Sequence, residues 1–71
     1  MSEKISVKIN GEQNEIKKGI TLKRILDEHD VDPEVAVTKV NKETIEKDEL
    51  ENIILNENDE IEYIYFMGGG N

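Results

Sequence analysis

Residues 4–33 read KISVKINGEQNEIKKGITLKRILDEHDVDP, and the period of the apolar residues changes once within this stretch. The first part alternates between apolar and polar residues, which is the pattern of a strand with one buried face. Its apolar positions are Ile5, Val7 and Ile9. Beyond residue 20 the apolar residues recur at helical spacing instead. The stretch therefore predicts strand structure followed directly by a helix.

The turn after the first strand is marked by Asn10 and Gly11, a dipeptide that suits the positive φ angles of a type I′ hairpin turn. The chain then returns through residues 12–18, with Ile16 as the apolar anchor of the second strand. Gly19 breaks this pattern. The first unit is therefore predicted to be a β-hairpin.

The helix is predicted from an apolar stripe made of Leu22, Ile25 and Leu26, with His29 on or beside it. Thr21 is placed to accept backbone N–H bonds as the N-cap. We expect Pro33 to end the helix. For His29, a half-buried packing role or a cation at the helix end is favoured over a role as a ligand.

The second half of the chain is predicted to contain a third strand over residues 34–41, closed by a turn at Asn41 and Lys42. Residues 43–55 mix a possible short strand at Thr44 and Ile45 with a helical or 3₁₀ turn around residues 48–51. In the polar turn that follows, Asn58 tolerates a left-handed conformation better than most residues.

The last strand is predicted over residues 61–66, and both of its faces carry apolar residues. One face carries Ile61, Tyr63 and Tyr65, and the other carries Glu62, Ile64 and Phe66. This pattern indicates a central strand, or a strand that offers one face to a partner. The tyrosines are expected to be core and edge aromatics rather than a platform for nucleic-acid bases.

The order of hairpin, helix, strand, short elements and strand is that of a β-grasp fold. We predict an α+β domain over residues 1–66, with a mixed sheet of four to five strands packed on one main helix. Residues 67–71 are expected to form a flexible glycine-rich tail.

The amino-acid composition excludes or disfavours several classes of function. The 71 residues carry nine basic and seventeen acidic side chains, a net charge of −8, which disfavours nucleic-acid binding because such binding depends on neutralising phosphates. The charge suits either steering toward a basic protein or simple solubility. Cysteine is absent, which excludes disulfides and thiolate sites. No apolar run approaches the ~18 residues of a membrane span, so the cytoplasm is the expected location.

The sequence gives little support for a metal site or a phosphate-binding loop. The acidic runs at residues 49–52 and 56–60 do not have the spacing of an EF-hand loop and are interpreted as solvated turns, so no metal site is predicted. The glycine run at residues 68–70 is not followed by a helix or by Lys-Ser/Thr, so it is no phosphate-binding loop.

Four segments together resemble the ubiquitin-like sulfur-carrier family, with ThiS as its nearest branch and MoaD as the next. They are VKINGEQNEI, GITLKRIL, VAVTKVN and LNENDEIEYIYFMGGG, at residues 7–16, 19–26, 35–41 and 55–70. The resemblance covers essentially the whole chain. Two residues depart from the family pattern: Asn58 stands where glycine is common, and Asn71 follows the glycines.

The resemblance implies that the C-terminal carboxylate is the reactive group, that Gly70 and Gly69 form the adenylation and thiocarboxylate site, and that Gly68 helps the tail to thread into a partner. Each Cβ on such a tail would restrict the dihedrals that threading requires, and glycine has none. The carrier itself would be no enzyme. It would bind no cofactor permanently, and ATP would be used by the activating partner.

Asn71 has three interpretations: a peptidase removes it and exposes Gly70, it is a residue left by cloning, or the protein is not a carrier in this form. A plain chain end is the alternative for the tail as a whole.

The segment that precedes the glycines contains three candidates for docking on a partner: Ile64, Phe66 and Met67. A sheet this small can also bury these residues. The partners implied are an E1-like adenylating enzyme of the ThiF or MoeB type, a sulfur-accepting synthase of the thiazole synthase type, and a processing peptidase. A ubiquitin-like protein modifier, a MoaD-like donor for molybdopterin or another thiolated product, and a non-catalytic interaction domain are the other function classes.

Overall fold

The computed structural model describes residues 3–65, which form five strands, one α-helix and one 3₁₀ helix. In chain order these are β1 (Lys4–Ile9), β2 (Glu12–Lys17), α1 (Leu22–Glu28), β3 (Ala36–Val40), β4 (Glu43–Ile45), the 3₁₀ helix (Lys47–Asn52) and β5 (Glu60–Tyr65). The predictions for Phe66 and for the tail at residues 67–71 fall outside the described residues.

The strands form one mixed sheet in the order β2-β1-β5-β3-β4. β1 and β5 run parallel, and the other neighbouring pairs are antiparallel. The predicted α+β architecture with a mixed sheet on one main helix is confirmed. So is the central place of β5, whose two apolar faces suggested it.

The core lies between one face of the sheet and α1. The apolar stripe of the helix is fully buried, with Leu22, Ile25 and Leu26 at 0% exposure. From the sheet, the alternating residues of β1 and the start of β5 pack against this stripe. The buried sheet residues include Ile5, Val7, Ile9, Ala36, Thr38, Val40 and Ile61. The period-two and helical patterns of the sequence therefore meet at one core.

The tight turns contain residues with positive φ, as predicted for Asn10, Gly11 and Asn58; for Asn41 and Lys42 only a turn was predicted. Asn10 and Gly11 have φ angles of 50° and 86°, as a type I′ turn requires, and Asn41 and Lys42 have 52° and 73°. Asn58 also lies in this region, with φ of 72°. Asparagine takes this conformation at lower cost than most side chains, which explains its use at three of these positions.

The third strand is shorter than predicted: residues 34 and 35 belong to a turn, and β3 begins at Ala36. The Asp32 carboxylate accepts a hydrogen bond from the Glu34 amide at 2.9 Å, and the Val35 amide donates to the Asp32 carbonyl at 3.1 Å. These local bonds hold the chain in the turn.

The helix begins as predicted but ends earlier than predicted. The Thr21 hydroxyl accepts a hydrogen bond from the Arg24 amide at 3.2 Å, which confirms the N-cap. Pro33 does not end the helix. Asp30, with φ of 58°, turns the chain, and the Val31 amide donates to the Leu26 carbonyl at 2.8 Å. This is the Schellman arrangement, with aspartate in the place usually taken by glycine.

Replacing Asp30 by glycine is expected to stabilise the protein by about 0.5–1 kcal/mol. Glycine adopts a positive φ without strain, and the change also removes a negative charge from the carbonyl end of a helix. Chemical denaturation followed by circular dichroism measures the effect. Asp30→Asn is the matched control, because it removes the charge and keeps a side chain. If glycine were no better than asparagine here, the backbone part of the argument would be wrong.

Candidate docking surface at the end of the last strand

The end of β5 is the part of the described fold from which the chain continues toward the glycines. β5 pairs with β3 from Val40↔Ile61 to Ala36↔Tyr65, but with β1 only at Lys8↔Glu60 and Ile9↔Ile61. The chain turns away at Asn10, whose side-chain oxygen accepts a hydrogen bond from the Tyr63 amide at 3.0 Å. Among residues 3–65, only β3 therefore pairs with β5 beyond Tyr63.

The outer face of the sheet, opposite α1, carries an apolar pair at this end. Ile64 is 56% exposed and stands in register with Val37 on β3, which is half-buried. The preceding pair on the same face is Lys39 with Glu62. We call Ile64 and Val37 the outer patch. It is an apolar surface bordered by one cation and one anion, an arrangement suited to a protein contact.

The inner side of the same strand carries aromatic side chains. Tyr63 is half-buried and Tyr65 is 51% exposed, and their rings meet edge to face with centroids 6.2 Å apart. The tyrosines were predicted to be core and edge aromatics, and their burial agrees with this. Tyr65 extends beyond the core, because α1 already ends near Tyr63.

His29 occupies the C-cap of α1, where its ring lies 6.4 Å from that of Tyr63. Its placement at the helix end agrees with one of the two predicted roles. The half-buried packing role is wrong, since His29 is exposed.

The acidic turn before β5 forms internal hydrogen bonds. The Asp59 carboxylate accepts from the Asn56 amide at 2.8 Å and from the Asn41 side-chain amide at 3.0 Å. Among residues 3–65 no cluster of three His, Asp or Glu side chains is arranged to hold a metal ion. The two hydrogen bonds to Asp59 stabilise the turn that precedes β5.

Of the predicted site residues, the structure describes only Ile64, and it places that side chain at the surface. Phe66, Met67, Gly68, Gly69 and Gly70 lie outside the described residues, as does Asn71. Their roles stay predictions. Val37 was missed from the sequence, because nothing in a single strand pattern reveals which residue of another strand lies beside Ile64.

Comparison with known families decides what kind of β-grasp protein this is. The sequence model of the ThiS family matches residues 7–70, nearly the whole chain. The chain belongs to the ThiS family. This confirms the resemblance to ubiquitin-like sulfur carriers. The matched residues include all three glycines of the tail and stop before Asn71.

The fold of this ThiS family member is also similar to that of a solved structure. A crystal structure of a thiamine biosynthesis protein (ThiS) from Geobacter metallireducens matches with a TM-score of 0.80 and 23% sequence identity. The match covers 93% of this chain and 100% of that chain. The search of curated proteins gave no match. No helix within residues 3–65 has the length and apolar character needed to cross a membrane.

Proposed function

We propose that this ThiS family member carries sulfur as a thiocarboxylate on Gly70 and donates it to thiazole formation in thiamine biosynthesis. The observation that carries the proposal is the family match, which runs through the glycines that follow the central strand. The absence of cysteine is consistent with it, because the sulfur would be held by the main-chain carboxyl group and needs no thiol side chain.

The proposed chemistry begins at a glycine carboxylate, which is a poor electrophile. Attack of the Gly70 carboxylate on the α-phosphorus of ATP releases pyrophosphate and gives an acyl adenylate. Hydrosulfide delivered by a partner then attacks the acyl carbon, the bond to AMP breaks, and the thiocarboxylate remains. The carrier supplies the electrophile and no catalytic side chain. ATP is bound by an adenylating enzyme of the ThiF or MoeB type, and the location proposed for both proteins is the cytoplasm.

The fold would contribute by presenting the tail from a fixed point. β5 is hydrogen-bonded to β3 up to Tyr65 and is fixed on its other side up to Tyr63. Reactive groups are positioned more accurately from rigid elements than from loops. The glycines begin three residues after Tyr65 in the sequence, so few residues separate Gly70 from the end of β5.

We also propose that Ile64, with Phe66 and Met67, docks on the adenylating enzyme. Ile64→Glu is expected to weaken that complex roughly tenfold or more, since a charge would enter an apolar contact near the centre of the interface. Isothermal titration calorimetry with the adenylating enzyme measures it.

The matched control for this prediction is Ile54→Glu. Ile54 is 51% exposed, close to the 56% of Ile64, but it lies beside Thr21 near the start of α1. Equal weakening by both changes would show a general charge effect and would exclude the outer patch as the docking surface.

The test of the function itself is the intact mass of the protein isolated from its own host. A chain ending at Gly70 with one oxygen replaced by sulfur is the expected species. Covalent conjugates with lysines of other proteins would instead assign a ubiquitin-like modifier. A chain that always keeps Asn71 and carries neither change would contradict both and leave an interaction domain. A processing peptidase and a thiazole-synthase-type acceptor complete the proposed set of partners.

A further inference from the structure

A second surface lies at the opposite end of the sheet from Tyr65. There an open cleft of about 450 Å³ runs between β2 and α1. Lys4, at the start of β1, is one of its lining residues. β5 runs parallel to β1, pairs with it only at the end of β1, and continues from there along β3 to Tyr65. Ile16 and Ile20 form the apolar part of the cleft, and both are only partly buried against the core. We call it the β2 cleft.

The strand that borders this cleft has a free edge. β2 is the first strand of the sheet order, and within residues 3–65 no strand pairs with its outer side. The Lys18 amide donates to the Glu3 carbonyl of the β1 side at 3.0 Å. Since pairing alternates along an antiparallel ladder, the amides of Lys17 and Glu15 point away from β1, at the free edge of the sheet. These are main-chain groups ready to pair with another strand.

The charge around the cleft is opposite in sign to that of the molecule. Four basic residues and two acidic residues line it, in a chain whose net charge is −8. The basic residues are Lys4, Lys17, Lys18 and Arg24. The β2 cleft is thus a local positive region on an acidic protein.

The placement of two of these cations does not favour the stability of the fold. Lys4 and Lys17 stand directly opposite each other in the β1–β2 register, and like charges in that position are destabilising. Within residues 3–65 neither ammonium group pairs with a carboxylate. The other two cations form exposed ion pairs, Lys18 with Glu3 at 3.3 Å and Arg24 with Glu28 at 3.1 Å, which are weak enough to exchange partners.

We propose that the β2 cleft binds an extended acidic segment of a partner protein by strand addition to the free edge of β2. The segment pairs with the outward main-chain groups of Glu15 and Lys17. Successive side chains of an added strand face opposite ways. Its apolar side chains would contact Ile16 and Ile20, and carboxylates on its other face would lie beside Lys4 and Lys17. Main-chain pairing gives affinity, and the positive rim selects acidic sequences.

The probe is a fluorescein-labelled synthetic peptide with a Val/Ile centre and Asp/Glu flanks, and its fluorescence anisotropy is followed with the full chain. We expect binding that weakens as NaCl is raised. A peptide with proline at alternate central positions is expected not to bind, since proline lacks the amide donor. In amide NMR spectra, the signals of Glu15 and Lys17 are expected to shift, while that of Ile64 stays.

The variant for this test is Lys17→Glu, which is expected to weaken peptide binding roughly tenfold. It should fold well, because it replaces a like-charge pair with Lys4 by an opposite-charge pair. Lys42→Glu is the control, with the same change of charge in the turn between β3 and β4. A peptide with Lys/Arg flanks is the second control and is expected to bind more weakly than the acidic one.

Several outcomes would overturn the proposal. The first is absence of peptide binding at low salt. The second is an equal loss of peptide affinity in Lys17→Glu and Lys42→Glu. The third is that the proline peptide binds as well as the acidic peptide without proline. Inorganic phosphate that reproduces the same NMR shifts would assign a small-anion site instead. Self-association that occupies β2 would assign the edge to a second copy of the chain. None of these measurements involves Gly70, so the outcome is independent of the proposed sulfur chemistry.

Discussion

A chain that ends at Gly70 is expected to be adenylated by its ThiF-type partner at least about a hundredfold faster than the chain that keeps Asn71. With Asn71 present, the terminal carboxylate belongs to asparagine and lies one residue beyond the glycine. The reacting carbon is then displaced along the tail, and a side chain enters a site proposed to accept only glycine. A misplacement of about 1 Å can already reduce a rate about a hundredfold.

The measurement is ATP–pyrophosphate exchange with the adenylating enzyme from the same host. A chain ending at Gly69 is the matched control, because it also presents a terminal glycine but places the carboxylate one residue too early. We expect it to exchange slowly as well. Gly69→Val in the chain ending at Gly70 should fail for a different reason, since its branched Cβ restricts the backbone of the tail.

The chain that ends at Gly70 and the chain that keeps Asn71 should bind the enzyme with similar affinity if the outer patch supplies most of the contact. A binding measurement therefore separates docking from chemistry. Rapid exchange by the chain that keeps Asn71 would show that the reactive group is not the Gly70 carboxylate. The proposed processing step would then have no purpose.

The fold could be predicted from the sequence where the pattern itself has a physical period. The alternation of Ile5, Val7 and Ile9 and the helical spacing of Leu22, Ile25 and Leu26 each fix which side of an element is buried. All six are buried in the structure. The turn at Asn10 and Gly11 was equally predictable, because few residue pairs adopt a positive φ twice in succession.

Features that depend on long-range register could not be predicted. The outer patch exists because Val37 stands opposite Ile64, and Lys4 stands opposite Lys17 because β1 and β2 pair in one register. Neither pairing is encoded by a single strand. The end of α1 was misjudged for a local reason: Pro33 is a visible signal, whereas Asp30 in a left-handed conformation has no comparable signature.

The second large effect is expected in the core, where Leu26→Ala should lower the free energy of unfolding by about 3 kcal/mol. Leu26 is 0% exposed, and its carbonyl accepts the Val31 amide at the helix end. Alanine has the higher helix propensity, so the change does not weaken the helix itself. The loss would come from buried contacts and from the cavity left beneath the helix.

Such a loss is large for this chain, because a core of this size supplies only roughly 3–5 kcal/mol of net stability. Urea denaturation followed by circular dichroism should show a strongly lowered midpoint or no cooperative transition at all. Leu26→Met, which nearly conserves volume, is expected to cost less than about 1.5 kcal/mol.

Ile64→Ala is the control on the other face of the sheet and is expected to stay within about 0.5 kcal/mol. The two Leu26 variants and the Ile64 control separate the loss of buried packing contacts from the loss of apolar surface that is already exposed. If Leu26→Ala cost no more than Ile64→Ala, the helix would not be fixed on the sheet by its apolar stripe. The sheet would then have to hold β5 without it, and the rigid base proposed for the glycine tail would lose its physical support.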